Sequence, residues 1–268
     1  MNSNFLEKLS EKVVNNKIKY FLGYEEILNN LENISDLIFQ EKKNTDIIEL
    51  DFFDINFNIL LYGEPGVGKT SLAYKLSNYV LDKYGVDTYQ LSIPNIIETN
   101  LGKTTSNMHK AIENIYEHAS EYGIYIILDE VDRIFTDRKK EEISELKRML
   151  LEFTDFLDRV NINDGILIVG ITNLKDTLDA AFLRRFSFQY EIKNNKELIC
   201  NFIKMCNDKV KINIKDSDID KYSDYVLLKN KNCDYIKNMY KREIIGNIYD
   251  ISNLEMNITK QFEELGGN

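Results

Sequence analysis

Short apolar runs alternate with longer amphipathic stretches over the middle of the chain. Five such runs occur at residues 57–62, 88–93, 124–129, 166–172 and 186–192. Three of them are nearly continuous in apolar residues, which is typical of strands covered by helices on both faces. The stretches between the runs are long enough for crossover helices. The pattern therefore predicts an α/β fold with a parallel, three-layer sheet.

Both ends of the chain have a helical pattern instead. Over residues 13–39, apolar positions recur at spacings of three and four, with a break at Gly23. After residue 193 the strand pattern stops, and the remaining sequence predicts three or four helices. We therefore expect an α/β core with an N-terminal helical segment over residues 1–193, followed by a small all-helical domain over residues 194–268.

Composition and charge exclude several classes of protein. Hydrophobic residues make up 43% of the 268, enough for a sizeable core, and no apolar stretch approaches the roughly 20 residues of a membrane span. The net charge of −10 disfavours nonspecific binding of nucleic acid. The N-terminus lacks the layout of a signal peptide, and three cysteines without metal-type spacing argue against a disulfide framework. We expect a cytoplasmic protein without a membrane or nucleic-acid partner.

Residues 63–70 read GEPGVGKT, which matches the phosphate-loop pattern G-x-x-x-x-G-K-[ST]. An apolar run precedes the loop and a helical pattern follows it, which is the context that the motif needs. The glycines allow successive N–H groups to face a phosphate, and the helix adds the positive end of its dipole. Lys69 would contact the β- and γ-phosphates and Thr70 would contact Mg²⁺. We therefore expect a nucleoside triphosphate to bind at Gly63, Glu64, Pro65, Gly66, Val67, Gly68, Lys69, Thr70 and Ser71.

Two acidic residues follow the third apolar run. Asp129, at the carboxyl end of a strand, can hold Mg²⁺ through its water shell. Glu130 is then placed to polarise the attacking water as a general base. Two acids after a strand can also mark no more than the start of a helix. The phosphate loop upstream favours the catalytic interpretation.

Asn173 ends the fourth apolar run. If the five strands, counted along the chain, lie in the order 5-1-4-3-2, Asn173 is beside the phosphate-loop strand and within reach of the γ-phosphate. It could also cap the next helix, since Asn is favoured at that position, and both interpretations could hold together.

Arg184 and Arg185 precede the last apolar run. Two adjacent arginines just before a strand are poor candidates for a salt-bridged helix face. They suit a phosphate on a neighbouring molecule better, and an arginine supplied in this way can raise hydrolysis by about 10³–10⁵.

Four motifs in this order and spacing, GEPGVGKT, IILDE, VGITN and LDAAFLRRF, resemble the ATPase module of the AAA+ superfamily. The chain is most similar to the AAA family proper, over about residues 18–260. The resemblance implies a P-loop NTPase core followed by a helical lid. It also implies a head-to-tail ring, usually a hexamer, in which each ATP site is completed by a neighbouring subunit.

The resemblance also implies roles for individual residues. Lys69 and Thr70 would bind phosphate and Mg²⁺, Asp129 would hold Mg²⁺ and Glu130 would be the catalytic base. Asn173 would sense the γ-phosphate, and Arg184 and Arg185 would reach into the next subunit's site. The backbone near Gly23 would lie over the adenine, and residues 232–245 would form the lid helix that packs against the nucleotide. In the pore loop of many relatives an aromatic residue grips a peptide, and here Asn100 takes its place ahead of Gly102.

We therefore expect an ATPase that uses ATP and Mg²⁺, assembles into a ring and remodels or regulates a protein partner. One alternative is a DNA-linked ATPase of the helicase or clamp-loader type. The net negative charge and the lack of a DNA-reading module disfavour this alternative. Another is a nucleotide switch that gates a separately encoded effector enzyme, and the sequence does not separate this alternative from active remodelling.

Overall fold

The computed structural model describes residues 5–18, 23–40, 56–97, 103–132, 140–247 and 249–267. The residues divide into two compact units. The first unit is drawn from positions 1–63 and 69–191, and the second from positions 64–68 and 192–268. Residues 64–68 therefore group with the C-terminal helices, although residues of the first unit flank them along the chain.

The first unit consists of a sheet and the helices that cover it. Its strands are β1 (Leu6–Lys8), β2 (Ile59–Tyr62), β3 (Thr88–Leu91), β4 (Ile124–Leu128), β5 (Ile166–Thr172) and β6 (Phe188–Glu191). Its helices are α1 (Glu11–Ile18), α2 (Glu25–Phe39), α3 (Lys69–Tyr84), α4 (Ile93–Ile96), α5 (Lys103–Tyr122), α6 (Lys140–Arg159) and α7 (Ala180–Leu183). Short 3₁₀ turns span Ile162–Asp164 and Lys175–Thr177.

Within the described ranges, the sheet has six strands in the order β1-β3-β4-β5-β2-β6. The five strands β3, β4, β5, β2 and β6 pair in parallel with their neighbours. They are the five predicted strands, and read from β6 their order is the predicted 5-1-4-3-2, so that prediction is confirmed. The sheet has an additional edge strand, β1, which pairs antiparallel with β3 and places Leu6 opposite Leu91. The sequence pattern predicted helix in this region, because three residues are too few to show the alternation of a strand.

The two central strands are covered on both faces, since every residue of β4 and β5 is buried. Ile124 and Ile126 point into the cluster of apolar side chains formed with α5 and α6. Tyr125 points to the opposite face, where its hydroxyl donates a hydrogen bond to the carbonyl oxygen of Ala73 on α3 at 3.0 Å. The three-layer arrangement that continuous apolar runs predicted is therefore confirmed.

Four helices make up the second unit in the described part of residues 192–268. They are α8 (Lys196–Val210), α9 (Asp216–Leu228), α10 (Cys233–Asn247) and α11 (Ile251–Gly267). The rings of Tyr222 and Phe262 stack with centroids 4.8 Å apart and join α9 to α11. The buried hydroxyl of Tyr240 on α10 donates to Asn207 on α8 at 2.6 Å. No described helix combines the length and the apolar character that crossing a membrane requires.

A half-buried carboxylate joins α2 to α3 in the first unit. Asp36 accepts hydrogen bonds from the hydroxyl of Tyr79 at 2.8 Å, the ammonium of Lys83 at 2.8 Å and the hydroxyl of Tyr84 at 2.6 Å. Burial alone would raise the pKa of Asp36, but the hydrogen bonds from Lys83, Tyr84 and Tyr79 outweigh it and hold that pKa below its ordinary value. The charged form of Asp36 therefore stabilises the folded protein.

We predict that Asp36→Asn lowers the free energy of unfolding at pH 7 by about 1–3 kcal/mol, the usual range for a hydrogen-bonded charged group. Because the folded pKa is depressed, this contribution is present above the unfolded pKa of about 3.9 and is lost as the pH falls through the folded value. Urea unfolding of both proteins at several pH values measures the difference. Asp82→Asn, at an exposed position of α3, is the matched control. A difference that does not depend on pH would contradict the assignment.

Candidate functional site

The carboxyl ends of three parallel strands form one edge of the sheet. β2 and β5 pair in register up to Tyr62 and Thr172, so the next residues, Gly63 and Asn173, are neighbours. β4 pairs with the other side of β5 and is followed by Asp129. Since adjacent strands lie about 4.8 Å apart, these three segments meet at a single edge, as the sequence predicted.

The phosphate loop connects β2 to α3, which begins at Lys69. Gly66 and Gly68 have φ angles of +78° and +101°, which side-chain-bearing residues rarely adopt. Lys69 is only 5% exposed, and its ammonium donates a hydrogen bond to the carbonyl oxygen of Gly63 at 2.8 Å. A buried ammonium needs such partners, and this bond holds Lys69 across the loop.

Pro65 and Gly66 of the loop are in contact with the start of α10, within the second unit. The amide nitrogen of Asn232 donates to the carbonyl oxygen of Pro65 at 2.8 Å. A methyl group on Gly66 would lie 2.6 Å from a carboxylate oxygen of Asp234. Glycine is therefore required here by close approach as well as by backbone conformation.

Thr70 and Asp129 are the residues expected to hold Mg²⁺. Thr70 and Tyr74 lie one helical turn apart on α3, and so on the same side of it. The pKa of Tyr74 is raised, first by burial and then by the charges of Asp129 and Glu7. Asp129 follows β4, and β5 separates β4 from β2, the strand that leads into the loop before Thr70. A hydroxyl and a carboxylate are oxygen donors of the kind Mg²⁺ prefers beside phosphate, so these residues fit the ion.

Glu130 follows Asp129 with a φ angle of +54°, which is uncommon for a residue other than glycine. Its backbone N–H donates to the carboxylate of Asp129 at 3.0 Å. Strained backbone of this kind costs on the order of 1–3 kcal/mol and recurs at functional sites, although Tyr24 and Lys211 adopt it here as helix caps. Among the described residues, no group of three or more His, Cys, Asp and Glu side chains is arranged to hold a metal ion.

Asp132 is a site residue that sequence reasoning missed. Its carboxylate accepts a hydrogen bond from the hydroxyl of Thr172 at 2.7 Å and from the backbone N–H of Asn173 at 3.4 Å. The third acid in the run DEVD (129–132) was the available signal. The side chain of Asn173 is exposed, and the cap position of the following 3₁₀ turn is occupied by Leu174. Asn173 therefore does not cap that turn.

The two adjacent arginines differ in environment. Arg184 is exposed, and its Nε donates to the carbonyl oxygen of Ala180 at 3.2 Å. Arg185 is half-buried and forms an ion pair with Asp158 on α6, with Nη2 and Oδ2 2.6 Å apart. The expectation that neither arginine is salt-bridged is therefore wrong for Arg185.

The remaining expected site residues lie at the starts of α2 and α3 or outside the described residues. Gly23 directly precedes the cap of α2, with a φ angle of +78°, and its role toward adenine stays a prediction. Ser71 is half-buried in the first turn of α3. Asn100 and Gly102, named for the pore loop, are outside the described residues.

A family model described as the ATPase family associated with various cellular activities (AAA) matches residues 59–194. The chain belongs to this family. The family that the four sequence motifs indicated is thus confirmed, and the matched region extends from the first residue of β2 to just beyond β6.

Individual relatives of this AAA protein match at low identity. It is 33% identical over 141 residues to a putative 26S proteasome regulatory subunit homolog of Methanothermobacter thermautotrophicus, covering 51% of this chain and 35% of the relative. The AAA chain thus spans about a third of that protein's length.

Two solved structures show the same fold. A chain of the HORMA:CdnC:Trip13 complex of E. coli MS115-1 matches with a TM-score of 0.78 at 14% identity, covering 97% of both chains. The FIGL-1 AAA domain in complex with ADP matches with a TM-score of 0.64 at 19% identity, covering 100% of this chain and 87% of that one. At these identities the likeness shows the fold alone.

The two arginines should differ in their effect on stability. We predict that Arg185→Ala lowers the free energy of unfolding by up to about 1 kcal/mol, because it leaves a partly exposed ion-pair partner, Asp158, unpaired. Arg184→Ala, the matched control, should change it by less than about 0.5 kcal/mol. Urea unfolding of the three proteins measures both effects, and equal losses from the two variants would contradict the distinction.

Proposed function

We propose that this AAA protein binds ATP with Mg²⁺ and hydrolyses the ATP to ADP and phosphate. The observation that carries the proposal is that Gly63, the first residue of the phosphate loop, lies at the same edge of the parallel sheet as Asp129, Glu130 and Asn173. Membership of the AAA family supports it. So does the ADP in the structure of the FIGL-1 AAA domain, whose fold this chain shares.

The binding residues each have a separate task in this proposal. The N–H groups of the loop and the ammonium of Lys69 compensate the charge of the β- and γ-phosphates. Thr70 and Asp129 would hold Mg²⁺, which would neutralise part of the charge on the phosphate oxygens.

The remaining residues act on the attacking water. Glu130 orients the water and accepts its proton as a general base. The exposed amide of Asn173 contacts the γ-phosphate. Asp132 fixes the backbone of Asn173 and the hydroxyl of Thr172, and so holds that amide at the edge of the sheet.

We also propose that the site is completed by a second copy of the chain. Both Arg184 and Arg185 are candidates for the arginine that reaches the neighbour's phosphates. The ion pair with Asp158 restrains Arg185, whereas Arg184 lies exposed at the end of α7, which favours Arg184. A contact of this head-to-tail kind closes into a ring, and we propose a hexamer.

We propose that the ring remodels or regulates a protein partner in the cytoplasm. The relative named as a proteasome regulatory subunit homolog supports a protein partner, as does the solved complex named for HORMA, CdnC and Trip13. The three cysteines are free thiols, which suits a reducing compartment. The net charge of −10 disfavours the alternative of a DNA-linked ATPase. A switch that gates a separate effector stays an alternative within the same proposal.

The ring proposal predicts complementation between two inactive variants. Lys69→Ala removes the phosphate contact but keeps Arg184, and Arg184→Ala does the reverse. Each variant alone should have little ATPase activity. An equal mixture should recover up to about a quarter of the wild-type rate, because about a quarter of the interfaces in a randomly assembled ring combine an intact Lys69 with an intact Arg184. Phosphate release from ATP measures the rates.

Two controls belong to this experiment. Size-exclusion chromatography shows whether the variants co-assemble, and a double variant carrying both substitutions should contribute no activity to any mixture. A co-assembled mixture as inactive as its components would contradict the contribution of Arg184 to its neighbour. A wild-type chain that releases no phosphate would contradict the proposed function itself.

A further inference from the structure

One side chain connects the phosphate loop to the first turn of α10. The amide nitrogen of Asn232 donates to the carbonyl oxygen of Pro65 at 2.8 Å. The amide oxygen of the same residue accepts a hydrogen bond from the backbone N–H of Tyr235 at 3.0 Å and so satisfies a donor of the first helical turn. Asn232 therefore uses its donor on the loop and its acceptor on the helix.

The hydrogen bond to Pro65 affects how the loop can bind an anion. A phosphate loop works when backbone N–H groups face the phosphate, and its carbonyl groups then need partners elsewhere. The carbonyl of Pro65 has such a partner in Asn232. A carbonyl without this bond could turn toward the phosphate and repel it.

The neighbouring Asp234 brings a negative charge to the same place. A methyl group on Gly66 would be 2.6 Å from Oδ2 of Asp234, so this carboxylate lies against the loop backbone. Asp234 is exposed, so water and salt screen its charge but do not abolish it at such short range. A carboxylate beside a loop built for a polyphosphate opposes the binding of that anion.

Residues 64–68 group with the helical unit rather than with the sheet. The loop backbone thus depends on the start of α10 for a hydrogen bond and for part of its electrostatics. Neither dependence follows from the phosphate-loop motif itself, because Asn232 and Asp234 lie more than 150 residues downstream of it.

We propose that Asn232 and Asp234 are positioning residues that set the nucleotide affinity of the phosphate loop with opposite signs. Asn232 holds the carbonyl of Pro65 away from the phosphate and raises the affinity. Asp234 lowers the affinity by repulsion, most for the ligand with the greatest negative charge. This inference rests on the proposed binding of ATP, and it concerns how tightly the loop binds rather than the chemistry that follows.

Two substitutions separate these effects. Asn232→Ser keeps an oxygen that can cap α10, but its side chain is too short to reach Pro65. Asp234→Asn removes the charge with almost no change in shape. Asp208→Asn, at an exposed position of α8, is the matched control for loss of a negative charge from the same unit.

Calorimetric titration of the full chain with ATP and with ADP, both with Mg²⁺, tests the proposal. We expect Asn232→Ser to raise Kd about 5- to 10-fold, the value of one hydrogen bond. Asp234→Asn should lower Kd about 2- to 5-fold at low salt, more for ATP than for ADP, and the gain should shrink at high salt. Asp208→Asn should leave Kd unchanged. A residue with a merely structural role would not improve binding when replaced.

The outcomes distinguish this inference from the proposed function. If the wild-type chain binds ATP and both variants bind it equally well, the inference is overturned and the proposed function stands. If Asp234→Asn weakens binding, the assignment of its charge is overturned. If the wild-type chain binds neither nucleotide, both proposals fail. Thermal unfolding of each variant shows whether it is folded. If Asn232→Ser does not fold, Asp234→Asn alone tests whether the charge of Asp234 lowers the nucleotide affinity.

Discussion

The pairing of β5 with β2 on one side and with β4 on the other is the constraint on which the proposed site depends. All seven residues of β5 are buried, and Gly170 in its middle packs so closely that an added methyl group would lie 3.1 Å from the ring of Phe186. Because the three strands are parallel, their carboxyl ends lie at one edge, and residues far apart in sequence meet there. A shift in this register would separate Gly63, where the phosphate loop begins, from Asp129 and from Asn173 together.

The charges at this edge explain why a metal ion fits the site. The chain carries a net charge of −10, and Asp129, Glu130 and Asp132 all follow β4. Carboxylates beside a triphosphate repel it unless cations lie between them. Lys69 supplies one positive charge, and a Mg²⁺ held by Thr70 and Asp129 would supply two more. The hydroxyl of Thr172 donates a hydrogen bond to Asp132, which holds this carboxylate against the end of β5.

Much of the core could be predicted from the sequence because its signals are local. Continuous apolar runs indicated strands buried on both faces. The phosphate-loop pattern and its flanking sequence predicted the strand, the loop and the helix around Lys69. The strand β1 could not be predicted, since three residues show no period and its formation depends on pairing with β3. The ion pair of Arg185 was missed because its partner, Asp158, is on another helix. The contacts of Asn232 and Asp234 with the loop were missed for the same reason, since they require the folded chain.

Substitution of Glu130 by Gln tests the central claim most directly, since it leaves the shape of the side chain unchanged and removes its ability to accept a proton. The measurement is ATP affinity by calorimetry together with the rate of phosphate release by the same preparation. The account predicts that Glu130→Gln binds ATP nearly as tightly as the wild-type chain and hydrolyses it about 10²- to 10⁴-fold more slowly, the usual contribution of a general base. Hydrolysis at the wild-type rate by the variant would contradict the account.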